Sequence, residues 1–194
     1  MIGSCLNRII IYTFLGIALL CSCEKKMKVV KNENYEQFAG KMIVMPTSRM
    51  KAVYNGEMVS ELPIKHFPSR KEYNFIMYIG ADNCSICTLQ RFYRWDDMMD
   101  YVGRTNVEYY FIVQPDGKND LIDLVQALNQ NYFSHPVYFD ESGSFEKANA
   151  AFTCTGTIGM LTKADGTILL SGNPMSSSGF IERVKQELII FNAS

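Results

Sequence analysis

The stretch Tyr73-Asn74-Phe75-Ile76-Met77-Tyr78-Ile79-Gly80-Ala81-Asp82-Asn83-Cys84-Ser85-Ile86-Cys87 joins a strand signal to a helix start. Its first seven residues are mostly aromatic or β-branched, the composition of a strand buried on both faces. Gly80 to Asn83 supply the turn. A helix is expected from Ser85 to about Tyr101, because Ile86, Leu89, Phe92, Tyr93 and Met98 fall near helical spacing. Cys84 and Cys87 therefore stand at the first turn of a helix that leaves a buried strand. A helix start carries unpaired N–H groups and a partial positive charge, which favour thiolate over thiol. One turn separates the two sulfurs, close enough for a disulfide. Cys84 is expected to be the exposed, activated sulfur, and Cys87 the more buried one that resolves a mixed disulfide.

Outward from this unit, strand and helix signals alternate. Val107 to Val113 is a second buried strand, Asp120 to Leu128 an amphipathic helix, and Pro136 to Phe139 a third, short strand. Phe145 to Ala151 suggests a short helix. Thr157–Thr162 and Thr167–Leu170 flank Ala164-Asp165-Gly166 as a hairpin. Ser176 to Ser178 can cap a last helix carrying Phe180, Ile181, Val184, Leu188 and Ile189. Ahead of the unit, Met42–Met45, Ala52–Tyr54 and Met58-Val59, with Asn55-Gly56 as the turn, suggest a β-hairpin. The expected fold class is α/β: a central mixed sheet flanked by helices, with an N-terminal β-hairpin extension.

The 194 residues include 19 basic and 20 acidic side chains, 47% hydrophobic and 20% charged, an ordinary globular composition. A net charge of −1 lacks the basic surplus that binding to nucleic acid requires, so no nucleic-acid partner is expected. Arg8 precedes an apolar run from Ile9 to Leu20, too short for the roughly 20 residues a spanning helix needs. It reads as the h-region of a secretory signal. Leu20-Cys21-Ser22-Cys23 resembles the lipobox of bacterial lipoproteins, which implies cleavage before Cys23 and lipid attachment to its thiol. An ordinary signal peptide cut nearby is the other reading of the segment. The expected organisation is a signal peptide over 1–22, a polar tether over 23–40, a hairpin and connector over 41–70, and an α/β domain over 71–194. The location implied is the cell envelope, lipid-anchored to a bacterial membrane and facing the periplasm or exterior.

Export changes the meaning of the cysteines. Cys5 and Cys21 leave with the signal, Cys23 takes the lipid, and Cys154 stands alone, so Cys84 and Cys87 are the one paired motif. Three uses fit them: a redox-active dithiol, an inert structural disulfide, or half of a zinc site. A structural zinc site takes four ligands, and Cys154, His66 and His135 supply no second paired motif. No metal or cofactor is therefore expected. Cys154 is either a small buried hydrophobe or a third member of the site.

From Tyr73 to Phe191 the chain resembles thioredoxin-fold proteins of the membrane-anchored disulfide reductase (TlpA/ResA-like) family. The resemblance rests on the strand–CSIC–helix unit, on His135-Pro136-Val137-Tyr138-Phe139-Asp140, on Lys163-Ala164-Asp165-Gly166, and on Gly172-Asn173-Pro174. It implies a thioredoxin-like fold and a thiol–disulfide oxidoreductase in which Cys84 and Cys87 are catalytic. It also implies an active-site loop at Cys154, Thr155, Gly156 and Thr157. The partners implied are thiols or disulfides of exported proteins, an electron-transfer partner, and the membrane through the lipid. The sequence departs from the family in one respect. The prolines are 46, 63, 68, 115, 136 and 174, so the proline that usually faces the two sulfurs is missing, and Gly156–Ile158 occupies its place. The alternative implied by that departure is a non-catalytic thioredoxin-fold binding module at the envelope surface. His66 and His135 have no sequence partner and read as structural.

Overall fold

A hairpin opens the sheet. β1 (Met50–Tyr54) and β2 (Glu57–Leu62) meet at Asn55-Gly56, whose φ angles of 49° and 79° are those of a turn matched to the twist of a hairpin. The computed structural model describes residues 34–46, 50–62, 67, 70–153, 156–175 and 178–192. Within them run β3 (Tyr73–Ile79), β4 (Val107–Val113), β5 (Val137–Phe139), β6 (Thr157–Lys163) and β7 (Ile168–Gly172). All seven strands form one sheet in the order β2-β1-β5-β4-β3-β6-β7. β3, β4 and β5 are parallel neighbours, whereas β6 runs antiparallel to both β3 and β7. The hairpin joins the sheet directly, since β1 pairs antiparallel with β5 from Lys51↔Phe139 to Val53↔Val137.

Every residue of β3 is buried, and the alternation of side chains explains why its sequence shows no polar face. Phe75, Met77 and Ile79 enter one apolar cluster with Phe92, Trp95, Phe111, Leu124, Phe180 and Val184. Ile76 and Tyr78 enter the other, with Tyr110, Ile112, Phe145, Phe152 and Met160. Among the described residues six helices supply the covers: α1 (Ser85–Leu89), α2 (Tyr93–Val102), α3 (Leu121–Asn129), α4 (Ser144–Ala148), α5 (Ala150–Thr153) and α6 (Ser178–Asn192). No helix among the described residues is long and apolar enough to cross a membrane.

Three elements differ from expectation. The helix expected from Ser85 to Tyr101 is two helices, because the N–H groups of Arg91, Phe92, Arg94 and Trp95 each bond to the carbonyl three residues back. Three residues per turn stack Leu89, Phe92 and Trp95 on one line, and all three are buried. The helix expected over Phe145–Ala151 is likewise split, at Asn149. Its side-chain amide donates to the carbonyls of Phe145 and Val44 and accepts from the Val44 N–H. Residues 42–45 are not the first strand of the hairpin. They follow β7 instead: Met42 bridges Thr167, and the Ile43 N–H donates to the Gly166 carbonyl.

Candidate active site

The register brings four chain segments to one end of the sheet. Ile79 stands opposite both Val113 and Thr157, and Val113 opposite Phe139. The turn after β3, the loops after β4 and β5, and the entry to β6 are therefore neighbours. At this end of an α/β sheet, loops rather than packed strands carry the chemistry. The Gly80 N–H donates to the Gly156 carbonyl at 2.6 Å, and the Gln114 N–H to the Ile79 carbonyl at 2.8 Å, fastening the turn to both flanking loops.

Cys84 and Cys87 form a disulfide, with their Cα atoms 5.3 Å apart. Cys84 is the N-cap of α1: its backbone is extended (φ −65°, ψ 102°) and its Sγ accepts the Cys87 N–H at 3.3 Å. Its carbonyl accepts both the N–H and the hydroxyl of Thr88. Both cysteines are exposed. The residues of α1 that turn inward are Ser85 and Leu89, and Cys87 lies on the opposite side of this short helix.

Ser85 is fully buried because it pairs with a residue from the loop after β4. The Ser85 N–H donates to Asp116 Oδ2 at 3.3 Å, and the Asp116 N–H donates to Ser85 Oγ at 3.1 Å. Asp116 Oδ1 also accepts the Lys118 N–H at 3.0 Å and Asn119 Nδ2 at 3.5 Å. Burial alone would raise the Asp116 carboxyl. The hydrogen bonds from Lys118, Ser85 and Asn119, with the Lys118 charge, more than offset it and hold the group below the usual carboxylate range.

On the other flank, Gly156 has φ +83°, and a Cβ there would lie 2.8 Å from Asn83 Nδ2. The loop that enters β6 is thus pressed against the residue before Cys84. Beneath it, the Tyr78 hydroxyl donates to Gln114 Oε1 at 2.6 Å and approaches Glu146 Oε2 at 3.5 Å. Burial, then the nearby Glu146 and Asp140 carboxylates, raise the Tyr78 phenol well above its ordinary value, so it stays protonated.

These positions sort the residues expected from the sequence. Cys84, Cys87, Gly156 and Thr157 share the end of the sheet just described. Cys154, Thr155, Cys23 and His66 lie outside the described residues. His135 belongs to the opposite end, just before β5, where its ring stands between 6.0 and 6.4 Å from those of Phe133, Tyr109 and Phe111. Arg104 Nη1 donates to its Nε2 at 2.8 Å. Among the described residues no cluster of three His, Cys, Asp or Glu side chains could hold a metal ion. Sequence reasoning missed Asp116 and its clasp on Ser85. Pro115-Asp116-Gly117 signals only a turn, and 31 residues separate the partners.

Three solved structures align with this arrangement over most of the chain. A thioredoxin-like protein solved in its oxidised form covers 78% of this chain and 98% of its own, at 11% identity and a TM-score of 0.53. The fold is thioredoxin-like. The reduced 2-Cys peroxiredoxin of Plasmodium vivax covers 81% of this chain and 99% of its own, at 16% identity and a TM-score of 0.52. For the mitochondrial 2-Cys peroxiredoxin of Plasmodium falciparum the shares are 80% and 96%, with 11% identity and a TM-score of 0.50. No family model and no curated protein matches the sequence. In this thioredoxin-like sheet the cysteine pair stands where β3 passes into α1.

Proposed function

We propose that the chain is a lipid-anchored thiol–disulfide oxidoreductase of the membrane-anchored disulfide reductase kind, held at the envelope through Cys23 and acting on cysteines of exported proteins. One observation carries the reading. An exposed Cys84–Cys87 disulfide caps the helix that follows a fully buried strand of a thioredoxin-like sheet. The export signal and the lipobox-like Leu20–Cys23 support the location.

In the reducing direction, the Cys84 thiolate attacks one sulfur of a substrate disulfide. A mixed disulfide forms and one substrate thiolate leaves, taking a proton from solvent. Cys87, deprotonated, then attacks the Cys84 sulfur, which closes the 84–87 bond and releases the second substrate thiolate. Two electrons pass to the substrate, and an external dithiol must restore the pair. Exposure of both cysteines suits a macromolecular partner, which could not follow a buried sulfur.

The test is turnover of a model protein disulfide by the reduced protein. Cys84→Ser is expected to abolish it, and Cys87→Ser to stop at a trapped mixed disulfide visible by mass. Turnover by Cys84→Ser at the parental rate would exclude this chemistry and leave the non-catalytic binding module as the reading.

A further inference from the structure

Asp116 is a fixed anion at the turn that carries the cysteine pair. Its carboxylate takes the Ser85 N–H, which belongs to the peptide unit formed with the Cys84 carbonyl, and its own N–H is held by the Ser85 hydroxyl. The reciprocal pair fixes the loop after β4 against the first residue of α1, so the carboxylate cannot swing away without breaking both bonds. We propose that Asp116 is a positioning residue that keeps the Cys84 thiol protonated and so poises the pair to give up electrons rather than take them. This rests on the redox reading above and deepens it, naming a residue that biases the pair toward the reducing direction.

The argument is electrostatic. A helix start lowers a thiol's pKa by offering N–H groups and positive potential to the thiolate. Here the first of those N–H groups is already spent on a carboxylate, and that carboxylate places a negative charge one peptide unit from the nucleophilic residue. Like charge disfavours the thiolate and leaves thiol and disulfide untouched. Cys84 Sγ keeps the Cys87 N–H, so the carboxylate weakens thiolate stabilisation without removing it. A pair whose reduced form is less stabilised in this way yields its two electrons and two protons to a substrate disulfide more readily, and strong oxidants owe their potential to the opposite case. The other charged groups at this turn do not cancel the effect. Asp82, two residues before Cys84, is exposed and has the same sign. Lys118 donates its backbone N–H to Asp116, and its ammonium opposes the carboxylate only in part, from an exposed position. Arg91 is exposed in the turn that ends α1.

The experiment measures the pH dependence of iodoacetamide alkylation of Cys84 in the reduced protein, together with the glutathione ratio at half-oxidation. Neither readout needs a substrate. A failure here is therefore separable from a failure of the oxidoreductase reading, which Cys84→Ser tests by turnover. Asp116→Asn keeps an oxygen acceptor for the Ser85 N–H and removes the charge. It is expected to lower the Cys84 pKa by about one unit, roughly tenfold in acidity. At a pH midway between the two thiol pKa values the reduced form should then persist at glutathione ratios about threefold less reducing. Asp116→Ser, a second neutral acceptor, is expected to shift the same way and serves if the asparagine variant does not fold. Ser85→Ala keeps the carboxylate and the residue-85 N–H that binds it but loses the hydroxyl half of the clasp, so its Cys84 pKa is expected to shift less than in Asp116→Asn. Parental alkylation profiles in the folded neutral variants, or an equal shift in Ser85→Ala, would overturn the proposal.

Discussion

Asp140 shows how one buried residue holds a loop at the active end of the sheet. Only 1% of it is exposed. Its carboxylate accepts the hydroxyls of Ser142 and Ser144 and the Phe145 N–H at 2.8, 3.0 and 2.7 Å. It therefore supplies the cap that Gly143, with φ +63° and no side chain, cannot give to α4. Hydrogen bonds to a charged group contribute about 1.5–3 kcal/mol each, and an orphaned buried N–H adds its own cost. Asp140→Ala is expected to lose about 3 kcal/mol in urea unfolding, and Asp140→Asn less than half of that. His135 makes a separate prediction. Burial first, and the Arg104 charge second, hold its pKa below the usual 6.5. The unfolded chain then binds the proton first, so stability is undiminished above pH 6.5 and falls as pH drops from there through the folded pKa. His135→Asn should flatten the unfolding free energy over that window and leave its shape above pH 7 unchanged. Asp140 stands in a segment that the sequence makes prominent. The groups that fix its role lie within five residues of it, whereas Arg104, whose charge helps depress His135, is brought from 31 residues away by the fold.

At the scale of elements, what was legible follows from how local each signal is. β3 and β4 are runs of β-branched and aromatic residues, β6 is marked by the hairpin turn at Ala164-Asp165-Gly166, and the Asn55-Gly56 turn carries its own backbone preference, so these strands and turns are readable without a fold. The break between α1 and α2 is not, because it is decided by where Phe92 packs. Its ring lies 5.0 Å from that of Phe133 and 5.8 Å from that of Phe111, on other elements. The cysteine pair was legible as a motif at a strand–helix junction, whereas the Asp116–Ser85 clasp needed the loop after β4 to be brought beside α1. The junction between the β6 entry and the cysteine turn is where an element-scale prediction can be made. Gly156 combines a left-handed φ of +83° with a Cβ position 2.8 Å from Asn83 Nδ2, and its carbonyl holds the Gly80 N–H. Gly156→Ala is expected to cost about 1–3 kcal/mol in urea unfolding of the oxidised protein. It should also raise hydrogen exchange at the Gly80 amide, the bond that ties the two loops. Parental exchange at that amide would show that the loops are held independently.

Across the whole molecule, described residues before position 70 cover both edges that β3–β7 alone would present. Without the hairpin, the three residues of β5 would be an edge, yet Ala52 and Val53 of β1 cover it and are themselves buried. At the opposite side, β7 is covered by the segment from Tyr35 to Ile43. The Ser171 N–H donates to the Tyr35 carbonyl and the Ile168 N–H to the Lys41 carbonyl, both at 2.7 Å, while the Gly40 N–H returns to the Ile168 carbonyl at 2.9 Å. Tyr35 packs its ring 5.5 Å from Phe180 on α6, and Phe38 packs 5.2 Å from Phe152 on α5, so the same segment touches helices on both faces. Exposed strand edges next to apolar surface are templates for association, and a sheet cut back to β3–β7 would have two. A fragment from residue 70 onward, although it keeps the cysteine pair and five strands, is therefore expected to associate at micromolar concentration. Its urea transition should be broad and shifted below that of a chain beginning at residue 34. Light scattering and equilibrium unfolding of the two fragments measure this directly. A monomeric fragment with the longer chain's midpoint would mean that the five strands are self-sufficient and the early segment serves another end.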